Sequence, residues 1–322
     1  MTTSEALSEA TLRDYIARFS NWGRWGEDDE IGALNLITPA CIARAARLVT
    51  QGRSISLTLP YDAFGPQNGG FRPNPQLLTT ATGTDHLGGA QDPLPGGWGP
   101  AKGFGYADDT VILPTQAGTQ WDALSHIFYE GRMWNGRSAA EVTSKGAAHN
   151  GIEKLTGRIV TRGVFLDLAT WKGVETLEPG YAITPDEVDT YCADKGIAVE
   201  SGDALIVRTG FMSARRAAWG DYSGGAAPGL SLTMAPWLYD HEIAAVATDT
   251  WGVEVRPNEI PVFQPLHLVS LVHGGIPFGE IFDLDALAVD CREDGVYVFM
   301  FVASPLPITG AAGSPVSALA LK

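Results

Sequence analysis

The eleven residues Gln116-Ala117-Gly118-Thr119-Gln120-Trp121-Asp122-Ala123-Leu124-Ser125-His126 hold a carboxylate, an imidazole and two carboxamides in one short stretch. A carboxylate and an imidazole at this spacing are the groups needed for proton transfer or for ligating a metal ion. Gly118-Thr119 suits a tight turn in which any side chain at the glycine position would obstruct a close approach. In an extended segment alternate residues share a face, so Gln116, Gly118, Gln120 and Asp122 point the same way. Two amide oxygens and one carboxylate then converge on one point, and His126 joins them if the chain curls after Asp122. Trp121, Phe128, Tyr129 and Trp134 cluster around the stretch. They would wall a flat ring substrate, or equally pack the core around a buried turn.

These groups need a scaffold, and the chain has the means to build one. Its 322 residues are 45% hydrophobic and only 18% charged, enough for a substantial core and too apolar for disorder. Leu12, Tyr15, Ile16 and Phe19 recur at helical spacing after Thr11. A second helix opens with Thr38 as cap and Pro39 in its first turn, and ends before Gly52. Residues 54–59 alternate like a half-buried strand. In the second half, strand-like runs at 159–168, 204–209, 243–248 and 296–303 alternate with helical stretches. One of these opens on a capping box at Thr184-Pro185-Asp186-Glu187 and closes at Gly196; others lie near 235–240 and 285–291. Such alternation predicts an α/β sheet with flanking helices. With no repeat and no clean linker, the chain reads as one domain over 1–322.

Residues 61–109 are Gly/Pro-rich and weakly periodic, a length of loop that usually covers a site. Aromatic and polar groups interleave there, and His86 beside Asp85 is a candidate substrate contact. Asp249 and Glu254 follow a strand-like run, where groups at active sites often emerge; otherwise Asp249 caps a turn.

A formal net charge of −15 excludes docking on nucleic acid or on anionic membranes, both of which require clustered Lys and Arg. The expected partner is a small-molecule substrate. Three scattered cysteines make no disulfide framework and no zinc motif, and no export signal or membrane-length apolar run is visible. A cytoplasmic enzyme is expected.

The stretch at 116–126 resembles the motif His-x-Gly-Thr-His-x-Asp-x-x-x-His of the cyclase family of metal-dependent hydrolases, which includes kynurenine formamidase and isatin hydrolase. Asp122 and His126 match it; Gln116 and Gln120 stand where the family has histidine. Residues 21–35, 201–210 and 313–316 resemble the opening, the central strand and the closing turn of the longer members. The resemblance implies a swivelling β/β/α fold with a mixed sheet, and subunits that associate into a homo-oligomer. It also implies a later metal-binding histidine and glutamate. Anchoring on Gly275-Ile276 places Glu280 on the glutamate and leaves His267 one residue off the usual spacing, with His273 competing.

Replacing imidazoles by amide oxygens weakens a zinc site and favours a harder ion such as manganese. Two readings therefore stay open. In one, Asp122, His267 and Glu280, with Gln120, hold a single divalent ion (Mn or Zn). In the other there is no metal, and Asp122, Glu280 and His126 do acid–base work alone. The first implies hydrolysis of a cyclic amide, imide or lactone with His126 as proton shuttle. The second implies a metal-free cyclase or dehydratase of secondary metabolism. A ligand-binding relative without turnover is the third possibility.

Overall fold

The computed structural model describes residues 6–322. Local signals set the first elements. Ser8 and Thr11 cap each other at the start of α1 (Glu9–Arg18), and the Thr38 hydroxyl accepts from the Cys41 amide at the start of α2 (Pro39–Ala46). The capping box at Thr184 forms as expected: its amide donates to Glu187 at 3.0 Å, and α3 (Pro185–Lys195) ends on Gly196 in the left-handed region at φ 64°.

Among the described residues one large sheet has nine strands. In chain order they are β1 (Ser54–Ser56), β2 (Gln120–Asp122), β3 (Val160–Asp167), β4 (Ala204–Arg208), β5 (Ala245–Thr248), β6 (Phe278–Glu280), β7 (Val298–Val302), β8 (Gly313–Pro315) and β9 (Leu319–Leu321). Their spatial order is β1-β9-β7-β3-β4-β5-β6-β2-β8. The centre, β3-β4-β5-β6, is parallel, and the pairings on either side of it are antiparallel. Helix α3 connects β3 to β4, and α4 (Met234–Asp240) lies between β4 and β5.

Parallel strands covered on both faces read as continuous apolar runs, and β3 is buried along almost its whole length. Val164, Leu166, Leu205 and Val207 face one core with Val188 and Leu238 of the helices. Phe165, Ile206, Phe299 and Phe301 face the other, under Leu287 and Cys291 of α5 (Asp285–Asp294). The protein is an α/β fold with a mixed sheet and helices on both faces. Cys41, Cys192 and Cys291 are all buried and free. No helix among the described residues is long and apolar enough to cross a membrane.

The Gly/Pro-rich segment differs from expectation. It contains an antiparallel pair, Gln76–Ala81 with Asp108–Ile112, and a helical turn at Gly83–Leu87. Neither strand buries a face, so neither needed the apolar alternation that would have revealed it. Leu87, Trp98 and Phe104 are largely exposed. Only the base of this arm, around Gln67–Arg72, reaches the cavity described below.

An internal ion pair ties β3 to the entry of β4. Arg162 donates to both carboxylate oxygens of Asp203, at 2.9 and 2.6 Å, and Asp203 is fully buried. Removing one member of such a pair strands the other charge. Asp203→Ala leaves Arg162 the Ala198 carbonyl and, as its counter-charge, the more exposed Glu200, and we expect about 3 kcal/mol of lost stability in urea unfolding, at the lower end of the range for broken buried pairs. A loss within the scatter of surface substitutions would mean that the pair contributes nothing.

Candidate active site

Strand β2 lies between β6 and β8, with Gln120 opposite Glu280 and Trp121 opposite Gly279. Pleating puts Gln120, Asp122 and Glu280 on one face. Trp121 goes to the other, where its indole donates to the Ala303 carbonyl and its ring packs edge-on against Phe282 and Phe301. The turn before β2 works as its composition suggests. A Cβ at Gly118 would lie 2.8 Å from the Tyr61 ring, and the Thr119 hydroxyl donates to the Ile281 carbonyl while accepting from the Leu59 amide.

His267 opens a seven-residue π-helical turn, His267–His273, of a kind often found at functional sites. Its ring is fixed by Glu254, which takes the Nδ1 proton at 2.6 Å and also accepts from the amides of Leu266 and His267. Nε2 is left facing Glu280 at 3.6 Å and Asp122 at 3.9 Å. One donor atom from each of Asp122, His267 and Glu280 lies within 4.8 Å of the others, and all three residues are buried. The backbone turns after Asp122, with the His126 amide donating to the Ala123 carbonyl. This brings His126 Nε2 to 3.7 Å from Asp122.

The four side chains form one end of a cavity of about 440 Å³, whose other walls include Phe71, Arg72, Trp251, Arg256 and Phe263. Burial and the neighbouring Asp122 carboxylate push Glu280 up to about 7. Burial opposes charge on His267, but Glu254 and Glu280 overcome it and raise its pKa to about 10. Burial lowers the pKa of His126, only partly offset by Asp122, so it is neutral near pH 7.

The Cyclase family model, described as "Putative cyclase", matches residues 55–255. A crystal structure of a novel cyclase is 34% identical, with a TM-score of 0.85, over 95% of this chain and 99% of that one. The chain belongs to the cyclase family. Isatin hydrolase A from Ralstonia solanacearum shares the fold at 19% identity and a TM-score of 0.58, over 88% of this chain and 96% of its own. A potential metal-dependent hydrolase with cyclase activity does so at 16% identity and a TM-score of 0.51, over 83% and 98%. No curated protein matches the chain.

The residues of this cyclase-family chain fit a metal ion. Asp122 Oδ2 is buried without a hydrogen-bond partner, and so is Gln120 Oε1. A carboxylate behind a ligating imidazole is the usual arrangement that fixes its tautomer. The Gln120 amide nitrogen donates to Glu280 at 2.7 Å, which leaves its Oε1 as the atom open to an ion.

The other expected residues divide clearly. Asp122, His126, His267 and Glu280 meet; His273 does not, being stacked on Trp22 and bonded to the Leu268 carbonyl. Gln116 is buried against the Gly313 backbone and bonded by Thr115, so it does not converge with Gln120. Trp121 is excluded from the cavity by the pleat. Phe128 is half exposed off the cavity wall, Tyr129 packs edge-on against His273, and Trp134 is a core residue bonded to Asp29. His86 lies against Gly105 in the outer arm. Asp249 caps Thr209 and Gly210, a structural task. Reasoning from sequence missed Arg72, Arg256 and Phe263, none of which sits in a periodic element.

In chelated protein, Glu280 and His267 both carry raised pKa values. Each contributes stability that is full below its ordinary value, 4.5 or 6.5, and lost as pH rises through about 7 or about 10. Thermal stability in chelator is therefore expected to fall between about pH 5 and pH 10. Added Mn²⁺ or Zn²⁺ should stabilise more at the alkaline end, and Glu254→Gln should flatten the slope. A pH-independent response to the ion would contradict this electrostatic picture.

Proposed function

We propose that this cyclase-family protein is a hydrolase that opens a small cyclic amide, imide or lactone, using one divalent ion held by Asp122, His267 and Glu280. The observation that carries the reading is the convergence of those three buried donors, from distant parts of the chain, beside a neutral histidine in a cavity of ligand size. The similarity to isatin hydrolase A, an enzyme named for a cyclic amide, and to a potential metal-dependent hydrolase supports the same class.

A bound ion supplies Lewis acidity: it polarises the carbonyl and eases ionisation of water. The chain's own residues do the rest. His126, uncharged near neutral pH, accepts a proton from the attacking water as its oxygen bonds to the carbonyl carbon. Asp122, 3.7 Å away, stabilises the imidazolium so formed. The same proton then passes to the leaving nitrogen or oxygen as the ring bond breaks, giving a carboxylic acid together with an amine (from an amide), an amide (from an imide) or an alcohol (from a lactone) on one molecule. Glu254 holds the His267 ring so that Nε2 faces the carboxylates, and the Gln120 amide orients Glu280. Phe71, Trp251 and Phe263 give the cavity an apolar wall suited to a flat ring.

A general acid–base group typically contributes ~10²–10⁴-fold. His126→Gln is therefore expected to cut kcat on a ring-opening substrate such as isatin by about that factor, with the melting temperature and metal content unchanged. Chelation should abolish turnover reversibly. Undiminished rates in His126→Gln would remove His126 from the mechanism, and turnover that survives chelation would favour an ion-independent mechanism instead.

A further inference from the structure

The cavity carries two arginines, Arg72 and Arg256, that make no ion pair among the described residues. Arg256 follows β5, and its guanidinium lies 5.1 Å from the centre of the Trp251 ring and 4.6 Å from that of Phe263. Its Nη1 is buried and has no hydrogen-bond partner. Arg72, at the base of the arm, rests 4.8 Å from the Phe71 ring and makes no hydrogen bond or ion pair among the described residues.

This is unusual for a chain with 37 acidic residues against 22 basic ones. The two most buried arginines outside the cavity are matched by acids, Arg162 by Asp203 and Arg208 by Asp167 and Asp285. A buried guanidinium nitrogen without a partner costs free energy that an arriving acceptor would recover. The two rings beside Arg256 fix its planar fork in advance, which lowers the ordering cost of binding an anion. The opposite polarity lies at the acid cluster, where Asp122 and Glu280 would repel a second negative group. An anionic substituent is thus steered to the arginine wall, and the scissile carbonyl to Asp122, His267 and Glu280.

We propose that Arg256, assisted by Arg72, is the subsite for a carboxylate already present on the substrate, so that the enzyme acts on small cyclic amides or lactones bearing an acid group. The substrate class rests on the hydrolytic reading, whereas the anion subsite can be tested by binding alone.

The test uses benzoate and benzamide, which share shape and differ in charge, with tryptophan fluorescence as readout because Trp251 adjoins Arg256. Titrations are run on the protein as purified and after chelation, so that a carboxylate held by a bound ion is distinguished from one held by arginine. Wild-type protein is expected to bind benzoate at least about tenfold more tightly than benzamide in both states, the order of a charge-assisted hydrogen bond. Arg256→Gln should remove that difference while leaving benzamide affinity unchanged, and Arg72→Gln should reduce it less. Arg256→Lys, which keeps the charge but not the fork, should fall between; it gives the same reading if Arg256→Gln fails to fold. Equal affinity for the two probes, or benzoate binding indifferent to both Arg256 variants, overturns the proposal. If the protein opens no ring yet discriminates the probes through Arg256, the hydrolytic reading fails and the anion subsite stands.

Discussion

Two carboxylates, Asp122 and Glu280, project from adjacent strands into one buried corner, and most of the site follows from the need to offset their mutual repulsion. Burial weakens the screening that open solvent would give, so each favours a proton or a cation close by. The chain supplies one imidazole, His267, and sets a third carboxylate, Glu254, behind it. It also turns the Gln120 amide toward Glu280. None of these gives Asp122 Oδ2 a hydrogen-bond partner. A divalent ion at this corner would offset both charges at once, and it would do so where a carbonyl can reach it from the cavity.

The fold earns this arrangement through register more than through local loops. Because β2 pairs antiparallel with β6, Gln120 sits across from Glu280 despite a sequence separation of 160. A slip of one residue would send Asp122 into the core and Trp121 into the cavity. Trp121 and Phe282 pack over Gly279, whose close contacts leave no space for a Cβ, so the core itself locks the register. The π-helical turn at 267–273 adds the third direction of approach, and Glu254 ties that turn to the end of the β5 connection.

Much of this was legible in the sequence where one interaction dominated. Capping chemistry marked α2 and α3, and the apolar runs of β3, β4 and β7 marked the buried strands. Alternation between Gln120 and Asp122 put both on one face. The same alternation overreached at Gln116, because the chain turns at Gly118-Thr119 and the extended period ends there. Trp121, adjacent to two site residues, was misplaced by proximity in sequence when the pleat sends it the other way. Strands of three residues such as β2, β6 and β8 are too short to show any period, and their pairing is set by tertiary contacts. The arginine wall was invisible for a different reason: Arg72 and Arg256 come from irregular segments, and only the folded cavity shows that neither makes an ion pair among the described residues.

The most direct measurement is the metal content of the purified protein and of Asp122→Asn and Glu280→Gln, by elemental analysis after dialysis against Mn²⁺ or Zn²⁺. One ion per chain in the wild type, lost in both variants with the fold intact, is the predicted result. A wild-type protein that retains no ion, or variants that retain it undiminished, would contradict the shared site on which the proposed chemistry rests.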